Sequence, residues 1–312
     1  MRWLQTAMRR LLRRVGPWFI PHKFYVALQR RFAVAPADMP EPGSGNGNGY
    51  VESVLISANS VLLDSHAGER CFVLCNGPSV LRQDLALLEG ETVLSVSSGY
   101  HHPLIGKIRP KYHCLPQITY GLFTEDDAVR WFREMHNGIA DAELFLNCTE
   151  EPLVRRHGLF PGRIVRYVWL SEDMDQVSGQ EIPDLSRAIP RVQSVSIMCL
   201  MIAMYMGFRT IYLLGVDHDQ FKTGEYKYFY SPTVLNGKDS DVAADGRVRT
   251  PRYDEFQALA RLWRQYRRMR QVAAANGVEI FNATAGGELD EFPRVDLAEL
   301  FTSEGFASTQ SS

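Results

Sequence analysis

No stretch of this 312-residue chain stays apolar for the length that a bilayer-crossing helix requires, so no transmembrane helix is expected. The first residues lack a continuous apolar region followed by a small-residue cleavage site, which argues against a secretory leader and for a cytoplasmic setting. There is little net charge: −2 at neutral pH, too little positive excess for an electrostatic nucleic-acid binder, so no nucleic-acid partner is expected. Cysteines number five, an odd count, with no CxxC pair and no Cys/His spacing that would build a structural zinc site. Cys71, Cys75, Cys114, Cys148 and Cys199 therefore read as buried free thiols. Neither a Walker loop nor the dinucleotide-binding glycine fingerprint occurs, and there is no internal repeat.

Acidic residues are missing from positions 1–37, which carry Arg2, Arg9, Arg10, Arg13, Arg14, Lys23, Arg30 and Arg31. Trp3, Leu4, Met8, Leu11 and Leu12 recur at spacings that give a helix one apolar face, and Trp18, Phe19, Ile20, Phe24 and Tyr25 follow. A basic amphipathic segment over 1–33 suits an anionic membrane surface, which residues 1–31 would meet peripherally on the inner face. The competing reading is a helix packed on the main domain with its arginines in solvent. Residues 34–50, rich in Pro, Gly and Asn, read as a flexible linker. The catalytic domain is expected over 51–302, with a disordered tail at 303–312.

Within that domain short apolar runs alternate with helical patterns. Strands are expected at 71–74, 92–96, 110–115, 142–146, 164–168, 210–214 and 278–281. Helices are expected at 79–88, 125–137, 194–206 and 252–276, the last with arginines on its outer face. The 194–206 stretch is apolar on nearly every side and ends at Gly207, which marks a buried helix with a glycine cap. Residues 220–250 are polar and read as a long active-site lid. The alternation implies an α/β, Rossmann-like fold: a mainly parallel sheet with helices on both faces.

In such sheets ligands lie beyond the carboxyl ends of the strands. The first candidate end is Asn76-Gly77-Pro78-Ser79, where glycine permits close backbone approach and an opening helix would direct N–H groups at an anion. Read structurally, the same residues are a strand-to-helix turn with Ser79 as N-cap. The second is Gly215-Val216-Asp217-His218-Asp219. There Asp217 is a candidate for a ribose hydroxyl, or for capping the following loop. His218 is a candidate general base, because histidine alone titrates near neutrality unaided. The third is Tyr226-Lys227-Tyr228-Phe229-Tyr230, whose phenols donate to phosphate oxygens without adding charge, or close the loop as an aromatic patch. Arg191 and Ser194 precede the buried helix at an anion-suited N-terminus, with plain capping by Ser194 as the alternative. Ser98, followed by Gly99, His101 and His102, stands at the end of the second strand.

The segments CNGPSV and RVQSVSIMCLMIAMYMGFRTIYLLGVDHD together resemble bacterial sialyltransferases that use CMP-activated sialic acid. They equally resemble the domain shared by motility-associated flagellin glycosyltransferases and archaeal 6-hydroxymethylpterin pyrophosphokinase. The resemblance runs over residues 70–285. It implies a Rossmann-like domain with a lid, a nucleotide in the central cleft and inverting transfer. Asn76 beside Gly77 would contact the donor, Arg191 and Ser194 would stand before the buried helix, and Tyr226 or Tyr228 would stabilise the leaving phosphate. Ser98 stands where the sialyltransferases carry asparagine, Leu115 stands at another such position, and Asp219 stands at their second lid tyrosine. Their base histidine lies just before the last long helix, where this chain has Tyr253, Asp254 and Glu255.

The expected activity is therefore transfer of a sugar, such as a CMP-linked acidic sugar, from a nucleotide donor to a surface glycan or lipid-linked precursor. Asn76, Gly77, Ser79, Ser98, Arg191, Ser194 and Asp217 would hold nucleotide and phosphate. Tyr226, Lys227 and Tyr228 would close over the leaving group, and His218, Asp254 or Glu255 would act as base. One alternative is diphosphate transfer from ATP to a small alcohol, with Mg2+ on Asp217 and Asp219. Another is a non-catalytic nucleotide- or ligand-binding protein.

Overall fold

A computed structural model of the chain describes residues 54–118, 124–171, 174–223, 228–230 and 252–302. The basic segment 1–33, the linker 34–50, Tyr226, Lys227 and the tail 303–312 lie outside the described residues. Eight strands form one sheet: β1 (Arg70–Leu74), β2 (Val93–Val96), β3 (Tyr112–Cys114), β4 (Glu143–Asn147), β5 (Val165–Ser171), β6 (Ala188–Pro190), β7 (Thr210–Leu214) and β8 (Glu279–Asn282). Their order is β6-β5-β4-β3-β2-β1-β7-β8, and every neighbouring pair is parallel. The helices are α1 (Ile105–Ile108), α2 (Glu125–Gly138), α3 (Glu151–His157), α4 (Val195–Tyr205), α5 (Gln220–Thr223) and α6 (Arg252–Ala275).

The strands are continuous apolar runs because both faces of the sheet are covered. Along β1, Cys71 and Val73 point into one core while Phe72 and Leu74 point into another. The first core holds α4 and the buried stripe of α6, namely Leu262, Tyr266, Met269, Val272 and Ala273, at helical spacing. The second face is covered by α2 beside β4 and by short 3-10 turns beside β1. Only Val195 among the 11 residues of α4 escapes full burial, which explains why the sequence of this helix has no polar side. Ser194 caps it by accepting from the Ser196 N–H, and Gly207 follows its end at φ +85°. Helix α2 starts on a reciprocal capping box between Thr124 and Asp127.

One expected element differs in kind. In place of a helix over 79–88 there are two 3-10 turns, Pro78–Arg82 and Leu85–Leu88, separated by extended backbone at Gln83. Tertiary hydrogen bonds override the local preference. Ser79 is held by Asp217, Arg82 donates to the Ala285 carbonyl, and Gln83 exchanges hydrogen bonds with Ala283 and Ala285. Strand β6 and helices α1, α3 and α5 appear where no element was expected. The five cysteines are free and buried, as their odd number and spacing suggested. Among the described residues no helix is long and apolar enough to cross a membrane.

Candidate functional site

The strand order reverses between β1 and β7, since β1 continues to β2 on one side while β7 and β8 lie on the other. That switch point opens a crevice at the carboxyl ends of the strands. The two loops that leave it are locked together. Cys75 N–H donates to the Leu214 carbonyl and Gly77 N–H to the Gly215 carbonyl, each at 2.9 Å. Asp217 accepts from the Ser79 N–H at 3.1 Å and from the Ser79 hydroxyl at 2.6 Å. A Cβ on Gly77 would stand 1.8 Å from Asp217 Oδ2, so this glycine is required by close approach. Burial raises the Asp217 carboxyl above its usual range, against the opposing pull of the Ser79 hydrogen bonds. Gly77, Ser79 and Asp217 thus form a knot behind the crevice and are not among the residues that line it.

The crevice itself is a cleft of about 660 Å³. Asn76, Ser98, Ser194, His218 and Tyr228, five residues singled out from sequence, all line it. Asn76 is 7% exposed, its Nδ2 donates to the Val96 carbonyl at 3.2 Å, and its Oδ1 is buried with no hydrogen-bond partner. An unpaired buried acceptor is costly, and a donor on a ligand would relieve it. The Asn76 carbonyl accepts from the Phe229 N–H at 3.0 Å, which ties residues 228–230 to the end of β1. Ser98 accepts from the Trp131 indole N–H at 3.1 Å. Ser194 brings the amino end of α4, and the positive end of its dipole, to the cleft.

His218 sits in the left-handed region at φ +45° and is 7% exposed. Its Nε2 lies 2.8 Å from the Tyr266 hydroxyl. Burial pushes its pKa down to about 4, so the imidazole is neutral at pH 7. The Tyr228 phenol is pushed up to about 12, by burial first and then by Tyr230, and is therefore a donor at neutral pH. The rings of Tyr228 and Tyr230 stack at 5.2 Å. Glu255 lines the cleft beside Arg252, with a 3.7 Å ion pair between them.

Other expected residues stand elsewhere. Arg191 pairs with Asp175, 2.7 Å from Nε, and does not line the cleft. Asp219 does not line it either, and Asp217 has both carboxylate oxygens engaged by Ser79. Among the described residues no group of three metal-ligating side chains occurs. With Asp217 engaged by Ser79 and neither carboxylate lining the cleft, the Asp217–Asp219 pair does not face a ligand there as a Mg2+ site would require. A second groove of about 520 Å³ along β8 contains none of the candidate residues.

Four residues that shape the cleft carried no sequence signal. Trp131 and Tyr266 sit on helices where an aromatic reads as core. Ser196 reads as part of an apolar helix. Gln265, fully buried, accepts from the Gln193 N–H and donates to the Asp175 and Arg191 carbonyls, each at 2.8 Å, so it pins the segment leading into α4. Comparison with family models, curated proteins and solved structures finds no match to this chain.

Proposed function

We propose that this protein is a glycosyltransferase-like enzyme. It would hold a nucleotide-activated sugar in the β1–β7 cleft and pass the sugar to a surface glycan or lipid-linked precursor. The observation that carries the reading is one cleft at the switch point lined by Asn76, whose buried Oδ1 has no partner, and by Ser194 at the amino end of α4. In this reading Asn76 Oδ1 accepts from an amino or hydroxyl group of the donor. Ser194 and the first turn of α4 hold phosphate, with Ser98 lining the same cleft. Tyr228, with Tyr226 and Lys227 of the same loop, offsets charge developing on the leaving phosphate. His218, neutral at pH 7, takes the proton of the acceptor hydroxyl. Gly77, Ser79 and Asp217 contribute by fixing the loop geometry. A CMP-linked acidic sugar is the favoured donor, on the resemblance of the two motif segments, and residues 1–31 would hold the enzyme at a membrane surface where such acceptors reside. Diphosphate transfer from ATP has less support, because it needs Asp217 to face the ligand.

The test is incubation of the full chain with CMP- and UDP-sugars while release of free nucleotide is followed. The reading expects turnover of a CMP-sugar that His218→Asn reduces by about 10²-fold or more. Absence of binding and turnover for every nucleotide sugar would defeat it.

A further inference from the structure

A line of hydrogen bonds along one wall of the cleft joins two residues to which separate tasks were given above. From His218 Nε2 it runs 2.8 Å to the Tyr266 hydroxyl, then 2.5 Å to Ser196 Oγ, then 2.7 Å to Ser194 Oγ. Both ends, His218 and Ser194, line the cleft. The middle members, Tyr266 and Ser196, are 0% exposed, so bulk water does not reach the line between its ends.

Each hydroxyl has one proton to donate and can accept as well, and a neutral imidazole carries one proton on one of its two nitrogens. The line therefore has two consistent senses. In the first, Ser194 donates to Ser196, Ser196 to Tyr266 and Tyr266 to Nε2, so the imidazole proton sits on Nδ1. In the second, Nε2–H donates to Tyr266, Tyr266 to Ser196 and Ser196 to Ser194, whose own proton is offered to the cleft. Nδ1 is then a bare acceptor. Among the described residues the hydrogen bond of the His218 ring is the one from Nε2 to Tyr266, so the tautomer follows the sense of the line. A phosphate oxygen is an acceptor only. Placed at Ser194 it is compatible with donation from Ser194 and hence with the second sense. Two observations point to a ligand there: the amino end of α4, capped by Ser194 itself, and Asn76, 7% exposed on the same cleft, with its buried Oδ1 unpartnered.

We propose that an anionic oxygen bound at Ser194 sets the tautomer of His218 through Ser196 and Tyr266, so that filling the phosphate subsite is what makes His218 Nδ1 a proton acceptor. This rests on the nucleotide reading of the cleft. Tyr266 and Ser196 are positioning residues. During transfer the acceptor oxygen bonds to the sugar carbon as the bond from that carbon to the phosphate oxygen breaks, and its electron pair stays on the phosphate. The acceptor proton goes to Nδ1, the Nε2 proton to Tyr266, the Tyr266 proton to Ser196, the Ser196 proton to Ser194 and the Ser194 proton to the departing phosphate. Every member of the line gives one proton and takes one. The imidazolium, which burial disfavours, does not form.

The experiment is nitrogen NMR of the full chain labelled in histidine, with the His218 signals identified by their loss in His218→Asn. Spectra are taken free, with saturating CMP, and with saturating inorganic phosphate. The expected result is a shift of the tautomer ratio toward Nε2–H by about tenfold or more on ligand binding, the size of one hydrogen-bond preference. Tyr266→Phe keeps the ring, and in it CMP should still raise the melting temperature while leaving the ratio unchanged. Ser196→Ala breaks the line at a second place and should behave alike, which covers poor folding of either variant. A ligand-bound wild type that keeps its proton on Nδ1, or a ratio that responds equally in both variants, overturns the proposal. Binding without a tautomer change overturns the relay alone. Failure of both CMP and phosphate to bind overturns the nucleotide reading with it.

Discussion

At the scale of single residues the loop knot behind the cleft makes the sharpest demand. Gly77→Ala would drive a methyl group into Asp217 Oδ2, 1.8 Å away, and force the carboxylate off Ser79. Overpacking of this kind costs about 1–3 kcal/mol, which urea unfolding of wild type and variant would measure. A second residue-scale expectation concerns pH. Burial pushes His218 and His113 each down to about 4 from an ordinary 6.5. The folded state keeps them neutral while the unfolded chain protonates, so their contribution to stability is lost as pH falls from about 6.5 to about 4. Asp217, raised by burial, works the other way, since its proton is favoured in the folded state. His218→Asn tolerates the left-handed backbone and removes one titrating group. The slope of unfolding free energy against pH in that window should fall by about one proton, roughly 1.36 kcal/mol per pH unit. An unchanged slope would show that His218 is protonated in the folded state as readily as in the unfolded one. Of the candidate residues, Asn76, Ser194 and His218 were legible because each stands at a strand end or helix start. Tyr266 and Ser196 were not, because their partners lie 48 and 70 residues away in sequence and the contact exists only after folding.

At the scale of elements, seven of the eight strands and the buried helix were readable from the pattern of apolar residues, and β6 was not. An apolar run of strand length between turns, and a helix with no polar side, each have one stable place in a covered parallel sheet. The helix expected over 79–88 failed for the opposite reason: its local pattern is helical, but Ser79, Arg82 and Gln83 are taken by groups more than 130 residues distant. The wall of the cleft depends on a similar long-range tie. Gln265 on α6 holds three backbone groups around Asp175, Arg191 and Gln193 ahead of α4. Gln265→Leu keeps the bulk and leaves those groups without their partner, at about 1–3 kcal/mol for each one that water cannot reach. Hydrogen exchange at the Gln193 amide should quicken in the variant while the core of β1 and β7 stays protected; equal protection at Gln193 would show that another group holds the segment. Leu200→Ala, at the centre of α4 and 0% exposed, should cost about 2–5 kcal/mol by cavity formation, read from the denaturation midpoint.

At the scale of the whole molecule, the sheet order alone places the crevice. Five strands, β2 to β6, run outward from β1 in sequence, and the chain then returns across the sheet through α4 to lay β7 on the far side of β1. The return brings the amino end of α4, the Gly215–His218 loop and Asn76 to one cleft. The proposed activity requires that cleft to hold a nucleoside phosphate, which titration of the full chain with CMP, UDP, GDP and ATP, followed by unfolding temperature, would measure. Ligand at a hundredfold over Kd stabilises by about 2.7 kcal/mol. For a domain of this class that is a rise of roughly 5–10 °C. A saturable rise of that order, with CMP foremost, is expected. Four flat titrations at millimolar nucleotide would contradict it.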